Sequence, residues 1–232
     1  MARVGRALVL ADGDLGSRDE IEAGWPGSLD EVVVVIAADG GARHAGPLGV
    51  RIDHWVGDGD SLPAADIDRL RELGIPVDLV ARDKDESDTE LAVRRAVAED
   101  PSEIVILGAF GGARLDHELA NVFLLADPML AGRSAVLLDA AVRIRLVGAP
   151  DVGGSAASIS LPGRVGDLVS LLPFGGDVEG VRTSGLRYPL HDEPLRMGAA
   201  RGLSNVRTAE TASVVLERGI LPVVETPVTL SG

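Results

Sequence analysis

The chain has 232 residues, enough for one large domain or two modest ones, each with a real core. Its 22 basic and 36 acidic residues leave a formal charge of −14, which argues against bulk attraction to nucleic acid or an anionic membrane. Cysteine is absent, which excludes disulfides, thiol catalysis and thiolate metal ligation and fits a reducing cytoplasm.

No apolar run reaches membrane-spanning length, and Asp12 and Asp14 interrupt the first one early, so Met1 to Asp12 reads as a core strand rather than a signal sequence. Within it, Arg6 to Leu10 is the strand proper. Val32 to Ala37 is a continuous β-branched run of the kind buried on both faces of a parallel sheet. It stops at Asp39-Gly40-Gly41, where Asp39 either holds a ribose hydroxyl or nucleotide or simply forms a turn, and Ala42 to Ala45 starts a short helix.

Ile52 to Val56 is the next strand, and it leads into Gly57-Asp58-Gly59-Asp60-Ser61. Two carboxylates two residues apart, freed by glycines at a strand end, suit a hard cation and its phosphate ligand. Pro63 and the spacing of Ile67, Leu70 and Leu73 predict a helix over 64–73, closed by Gly74, with strand character resuming over 75–80. This alternation predicts an α/β domain with a mostly parallel sheet, whose ligands gather beyond the carboxyl ends of the strands.

The segment Arg82 to Glu90 sits at the following strand-to-helix junction. Ser87 and Glu90 have capping-box spacing, and Asp88 in the first turn suits the helix dipole without any ligand. Asp83, Lys84, Asp85 and Asp88 together are more than a cap requires. Glu103 to Leu107 is a strand ending in Gly108-Ala109-Phe110-Gly111-Gly112, whose glycines permit close approach to a phosphate. The spacing is neither a P-loop nor a dinucleotide fingerprint. Arg114 offers a guanidinium fork for phosphate, with Asp116 beside it to orient it or share a cation. Leu115, Leu119, Val122, Phe123 and Ala126 then predict an apolar helix stripe, with Asn121 near its site-facing turn. His117 reads equally as a structural or a catalytic residue.

Ser134 to Leu138 completes the alternation, and the pattern changes near 139–142. Short β runs follow at 142–147, 157–161, 168–172, 181–188, 211–216 and 223–230, separated or flanked by Gly153-Gly154, Gly163, Gly175-Gly176 and Gly202. They predict an all-β sandwich, giving two domains, 1–140 and 141–232. Tyr188 and Trp55 read as packing residues, each with a face on which an aromatic ligand can stack.

In this order and spacing, the acidic clusters, the glycine turn, Ser184 to Tyr188 and Ser204-Asn205 resemble the thiamin pyrophosphokinase (thiamine diphosphokinase) family. The resemblance implies an N-terminal three-layer α/β ATP-binding catalytic domain, a C-terminal β-sandwich for thiamine binding and dimerisation, and a homodimer, to which charge and cysteine content add a cytoplasmic location with no nucleic-acid or membrane partner. It implies transfer of pyrophosphate from ATP to the thiamine hydroxyl with Mg²⁺. Asp58, Asp60 and Asp88 would hold the metal, and Asp85, Arg114 and Asp116 would join them in catalysis. Asp39, Gly40, Asp60, Ser61, Gly111, Arg114 and Asn121 would bind ATP, while Ser204 and Asn205 would lie toward thiamine. Gly59, Ser87 and Val206 depart from the family's usual residues. Two alternatives stay open: a pyrophosphokinase for another heterocyclic alcohol such as a hydroxymethylpterin, and a non-catalytic nucleotide-binding dimer.

Overall fold

A computed structural model describes residues 5–112, 114–148 and 156–228 of the chain. The chain divides into two compact units, Met1–Ala140 and Ala141–Gly232.

Among its described residues the first unit carries six parallel strands: β1 (Arg6–Leu10), β2 (Val32–Ala38), β3 (His54–Gly57), β4 (Val77–Leu79), β5 (Glu103–Leu107) and β6 (Ser134–Leu138). They lie in the order β4-β3-β2-β1-β5-β6. Leu8 of β1 pairs with Val35 on one side and Val105 on the other, so the apolar runs meet at the centre of the sheet. The order reverses between β1 and β5, and open α/β sheets bind ligands beyond the carboxyl ends of the strands at such a switch point.

Five helices connect these strands: α1 (Arg18–Gly24), α2 (Ala45–Leu48), α3 (Ala64–Glu72), α4 (Asp88–Ala98) and α5 (Leu115–Leu124). Helix α4 packs across β1, β2 and β3 through the buried Ala92, Val93 and Ala96, whose small side chains allow close approach. Ile21, Trp25, Leu48, Trp55, Ile67 and Leu107 join one core.

Three expectations shift here. Helix α1 was not foreseen, although Ser17 and Glu20 form a complete capping box at its start. At α4, Ser87 accepts the Glu90 N–H at 3.1 Å, but the Glu90 carboxylate pairs with Arg94 instead of returning to the cap. The stripe on α5 does not line a core within the unit. Leu115, Leu119 and Phe123 are 65%, 45% and 49% exposed.

Among the described residues of the second unit all the pairings are antiparallel. Strand β14 (Arg218–Thr226) pairs with β7 (Arg143–Val147), β9 (Leu168–Leu171) and β10 (Phe174–Ser184). β10 also pairs with β11 (His191–Leu195) and β13 (Thr211–Leu216), β13 with β8 (Ala157–Pro162), and β9 with β12 (Asn205–Val206). Gly175 and Gly176 lie inside β10 rather than between strands, and β10 ends at Ser184, short of Tyr188. Gly153-Gly154 and the end of the last expected run, beyond 228, lie outside the described residues. Val169, Leu171, Val178, Val181, Val214 and Val223 share this unit's core.

Buried at its centre, Glu225 is fully shielded from solvent and receives three arginines. Arg143 donates two hydrogen bonds to it, both at 2.9 Å, Arg145 two at 3.2 and 2.7 Å, and Arg207 one at 2.7 Å. Burial alone would raise the Glu225 carboxyl, but the bonds and charges of Arg143 and Arg145 outweigh it and hold it below the usual range. The cluster ties β7 and β14 to the segment carrying Arg207.

Candidate functional site

Parallel pairing of β2 with β3 places Ala38 opposite Val56, so the turns that follow them emerge side by side. This juxtaposition brings Asp39, Asp58 and Asp60 together. Carboxylate oxygens of the three lie within 4.8 Å of one another. Asp39 is only 3% exposed. Its Oδ2 accepts the Ser61 N–H at 3.0 Å and its carbonyl accepts the Trp55 indole N–H at 3.0 Å, but its Oδ1 has no hydrogen-bond partner. Its backbone takes a φ of 43°, in the left-handed region that aspartate tolerates better than most residues. Burial, aided by the charges of Asp58 and Asp60 and opposed by Ser61, raises its carboxyl above the ordinary value.

The neighbouring turn is similarly constrained. Asp58 Oδ1 accepts the Asp60 N–H at 3.0 Å, and the Ser61 hydroxyl donates to Asp60 Oδ1 at 3.1 Å. Gly59 has a φ of 76°, in the left-handed region that favours glycine. At Gly57, an added Cβ would lie 2.8 Å from Asp39 Cβ and 2.9 Å from Asp39 Cα. Gly57→Ala is therefore expected to push Asp39 out of register and to lower the melting temperature, a loss read by thermal unfolding beside wild type.

The acidic segment before α4 reaches the same ring. Lys84 Nζ lies 3.1 Å from Asp88 Oδ1 and 3.7 Å from Asp58 Oδ2. Burial raises the Asp88 carboxyl, with Lys84 opposing and the charges of Asp58 and Asp39 adding to the rise. Arg82 pairs with Asp60 at 2.8 Å from an exposed position. Asp85 is exposed.

Three carboxylates, one of them carrying an orphaned buried oxygen on Asp39, form an oxygen-rich donor set that fits a hard divalent cation. The ring's members are Asp39, Asp58 and Asp60, with Asp88 joined through Lys84. From the residues alone Asp39 stands between a nucleotide ligand and a turn former, and this grouping is invisible because it depends on strand pairing.

At the carboxyl ends of β1 and β5, two loops are laced together. Asp14 bridges to Phe110, and its Oδ2 accepts the Gly112 N–H at 3.2 Å. The Gly111 N–H donates to Glu118 at 3.1 Å, and Asn121, buried, donates to the Ala109 carbonyl at 2.9 Å. Asn121 thus holds the glycine turn. Gly40 lies buried beside Asp12, and Arg43 pairs with Asp12 while donating to the Gly13 carbonyl at 3.0 Å. These contacts from Asp12, Asp14 and Arg43 went unread in the sequence; the only local signal is the Asp-Gly-Asp triplet closing β1.

Arg114 and Asp116 bind each other, at 2.8 and 2.5 Å, at the exposed start of α5. The guanidinium's hydrogen bonds hold the Asp116 carboxyl well below its usual range. In the second unit, Asn205 is buried. Its Oδ1 accepts the N–H groups of Tyr188 and Val206 at 3.0 and 2.9 Å, and its Nδ2 donates to the Tyr188 carbonyl at 2.7 Å. Its side chain is a clamp on Tyr188, whose own side chain is exposed. Ser204, at a φ of 54°, is exposed and donates its N–H to the Ser170 hydroxyl at 3.0 Å.

Against known families, residues 27–137 match the thiamin pyrophosphokinase catalytic domain, and residues 158–221 match the thiamin pyrophosphokinase vitamin B1 binding domain. The chain belongs to the thiamin pyrophosphokinase family. A thiamine pyrophosphokinase of Bacillus subtilis (strain 168) is 25% identical over 197 residues, covering 84% of this chain and 88% of the relative. The fold is shared with solved thiamin pyrophosphokinase structures. That from Bacillus subtilis has a TM-score of 0.77 at 22% identity, covering 96% of this chain and 99% of the other. That from Candida albicans has a TM-score of 0.73 at 16% identity, covering 95% and 90%. Among the described residues, no helix is long and apolar enough to cross a membrane.

Proposed function

We propose that the chain transfers the β,γ-pyrophosphoryl unit of ATP to the hydroxyl of thiamine, releasing AMP and thiamine diphosphate. The hydroxyl oxygen bonds to the β-phosphorus as the bond from that phosphorus to the α,β-bridging oxygen breaks. The bridging oxygen leaves with AMP. The observation that carries the reading is the buried, unpartnered Oδ1 of Asp39 set against Asp58 and Asp60 at the carboxyl ends of β2 and β3. In this reading the three carboxylates hold Mg²⁺, which when bound neutralises phosphate oxygens and orients them.

The chain's own groups do the rest. Asp88, half-buried and tied to Asp58 through Lys84, accepts the hydroxyl proton in preference to the exposed Asp85. Gly40, Ser61, Gly111 and the turn held by Asn121 border the nucleotide, and Arg114, released from Asp116, binds phosphate. Ser204 and the Tyr188 segment held by Asn205 face thiamine.

The reading also takes the first unit as the three-layer catalytic domain and the second as a β-sandwich for thiamine and dimerisation. It takes the assembly as a cytoplasmic homodimer. The exposed Leu115, Leu119 and Phe123 give α5 an apolar face for a second copy, and the lack of cysteine suits a reducing compartment.

Incubation of the purified chain with ATP, Mg²⁺ and thiamine, followed by product separation, tests the function. Thiamine diphosphate and AMP in equal amounts are expected; ADP in place of AMP would overturn the reaction class.

A further inference from the structure

We infer that Lys84 is a polyphosphate-binding residue that changes partners as substrate enters, neutralising Asp58 and Asp88 in the free protein and turning to phosphate oxygens in the loaded one. The inference rests on the pyrophosphokinase reading above. Its basis is the placement of one flexible cation inside the acidic ring. The Lys84 side chain is 15% exposed and those of Asp58 and Asp88 are 10% and 26% exposed. A lysine is seldom withdrawn this far from water unless it is paired.

Among the described residues, two cations touch the ring of Asp39, Asp58, Asp60 and Asp88, and they differ in kind. Arg82 meets Asp60 from a side chain that is 81% exposed, an arrangement that contributes little. Lys84 stands between two carboxylates from different segments, one on the turn after β3 and one in the first turn of α4. The contact to Asp88 is the closer, 3.1 Å against 3.7 Å, so the ammonium is not locked in a symmetric bridge.

Adding a divalent cation to this ring makes the Lys84 charge redundant there, whereas the polyphosphate that accompanies the cation brings fresh negative charge. An ammonium on a four-carbon stem, with three rotatable donors, passes from carboxylate to phosphate without any backbone movement. Lysine serves phosphates as a point charge in the same manner elsewhere.

A purely structural lysine, linking α4 to the turn after β3, would behave differently on removal. Loss of a strut loosens the ring, so metal binding and turnover fall together. Loss of a partner-changing lysine moves them in opposite directions, because the empty ring loses a competing positive charge while the loaded site loses a phosphate ligand.

The test uses the full chain and Mn²⁺ alone as the metal probe, titrated by electron paramagnetic resonance without nucleotide, beside steady-state kcat and KM for ATP. For Lys84→Met, Mn²⁺ is expected to bind about tenfold tighter, while kcat falls about a hundredfold and KM for ATP rises. Lys84→Arg keeps the charge and is expected to hold Mn²⁺ affinity within about twofold of wild type while recovering part of the lost turnover. Unchanged or weaker Mn²⁺ binding in a folded Lys84→Met chain, or undiminished turnover, would overturn the inference. Asp58→Asn separates the two levels: if it binds Mn²⁺ as tightly as wild type, the metal ring itself is wrong, whatever Lys84 does.

Discussion

Asp39→Asn is expected to make the protein more stable and to abolish its turnover. The buried carboxylate of Asp39 has one unpartnered oxygen and two acidic neighbours, so its charge opposes folding. Asparagine keeps the shape, tolerates the positive φ and still accepts the Ser61 N–H, so the substitution isolates the charge. The sign follows from the raised carboxyl. As pH rises past the ordinary aspartate range the unfolded chain releases its proton first, stability falls until the folded group also ionises, and the full penalty stands at neutral pH. Removing it is worth about 1–2 kcal/mol, or roughly 2–4 °C in melting temperature per kcal/mol for a chain of this size. Mg²⁺ should raise the melting temperature of the wild type and leave that of the variant nearly unmoved. A variant that melts lower than wild type at pH 7 without metal would show that the charge is already compensated.

Glu225→Gln carries the opposite expectation. Glu225 is the common acceptor for Arg143, Arg145 and Arg207, and no part of it reaches solvent. Neutralising it leaves three guanidinium groups facing one another in a buried setting, which costs about 3–5 kcal/mol and lowers the urea midpoint accordingly. Because the folded carboxyl lies below its usual range, its contribution is complete above the ordinary glutamate pKa and is lost as pH falls through the depressed one. The wild type should therefore lose stability on acidification more steeply than the variant. Arg207→Met in the Glu225→Gln background should recover part of the loss, since Arg207 is itself buried and its Nε is unpartnered. Equal midpoints for wild type and Glu225→Gln would sink the account.

Much of the first unit was legible because its strands are local apolar runs and its acidic turns sit directly at their ends. β1 and β5 coincide with the runs 6–10 and 103–107, and Ser87 caps α4 as its spacing predicts. The joining of Asp39 to Asp58 and Asp60 was not legible, because no spacing along the chain encodes which strand lies beside β2. The stripe on α5 was legible as a pattern but not as an exposed face, since periodicity marks an apolar side and is silent about what covers it.

In the second unit the short strands β11 and β12 carry weak signals of their own and exist through their partners β10 and β9. The glycine pair inside β10 read as a break for the same reason: partner strands override local preference. At Asn205 the residue was found and its task was not, for a compact amide after a glycine turn looks the same whether it meets a ligand or clamps Tyr188.

Tryptophan occurs only twice in the chain, and both indoles are buried with their N–H groups on main-chain oxygens, Trp25 on Asp139 and Trp55 on Asp39. Trp55 therefore touches the backbone of the residue to which the proposed function gives the ion. The molecule carries its own optical label there, with a single second indole to subtract when tryptophan is excited selectively, and occupancy of the ring can be followed in unmodified protein.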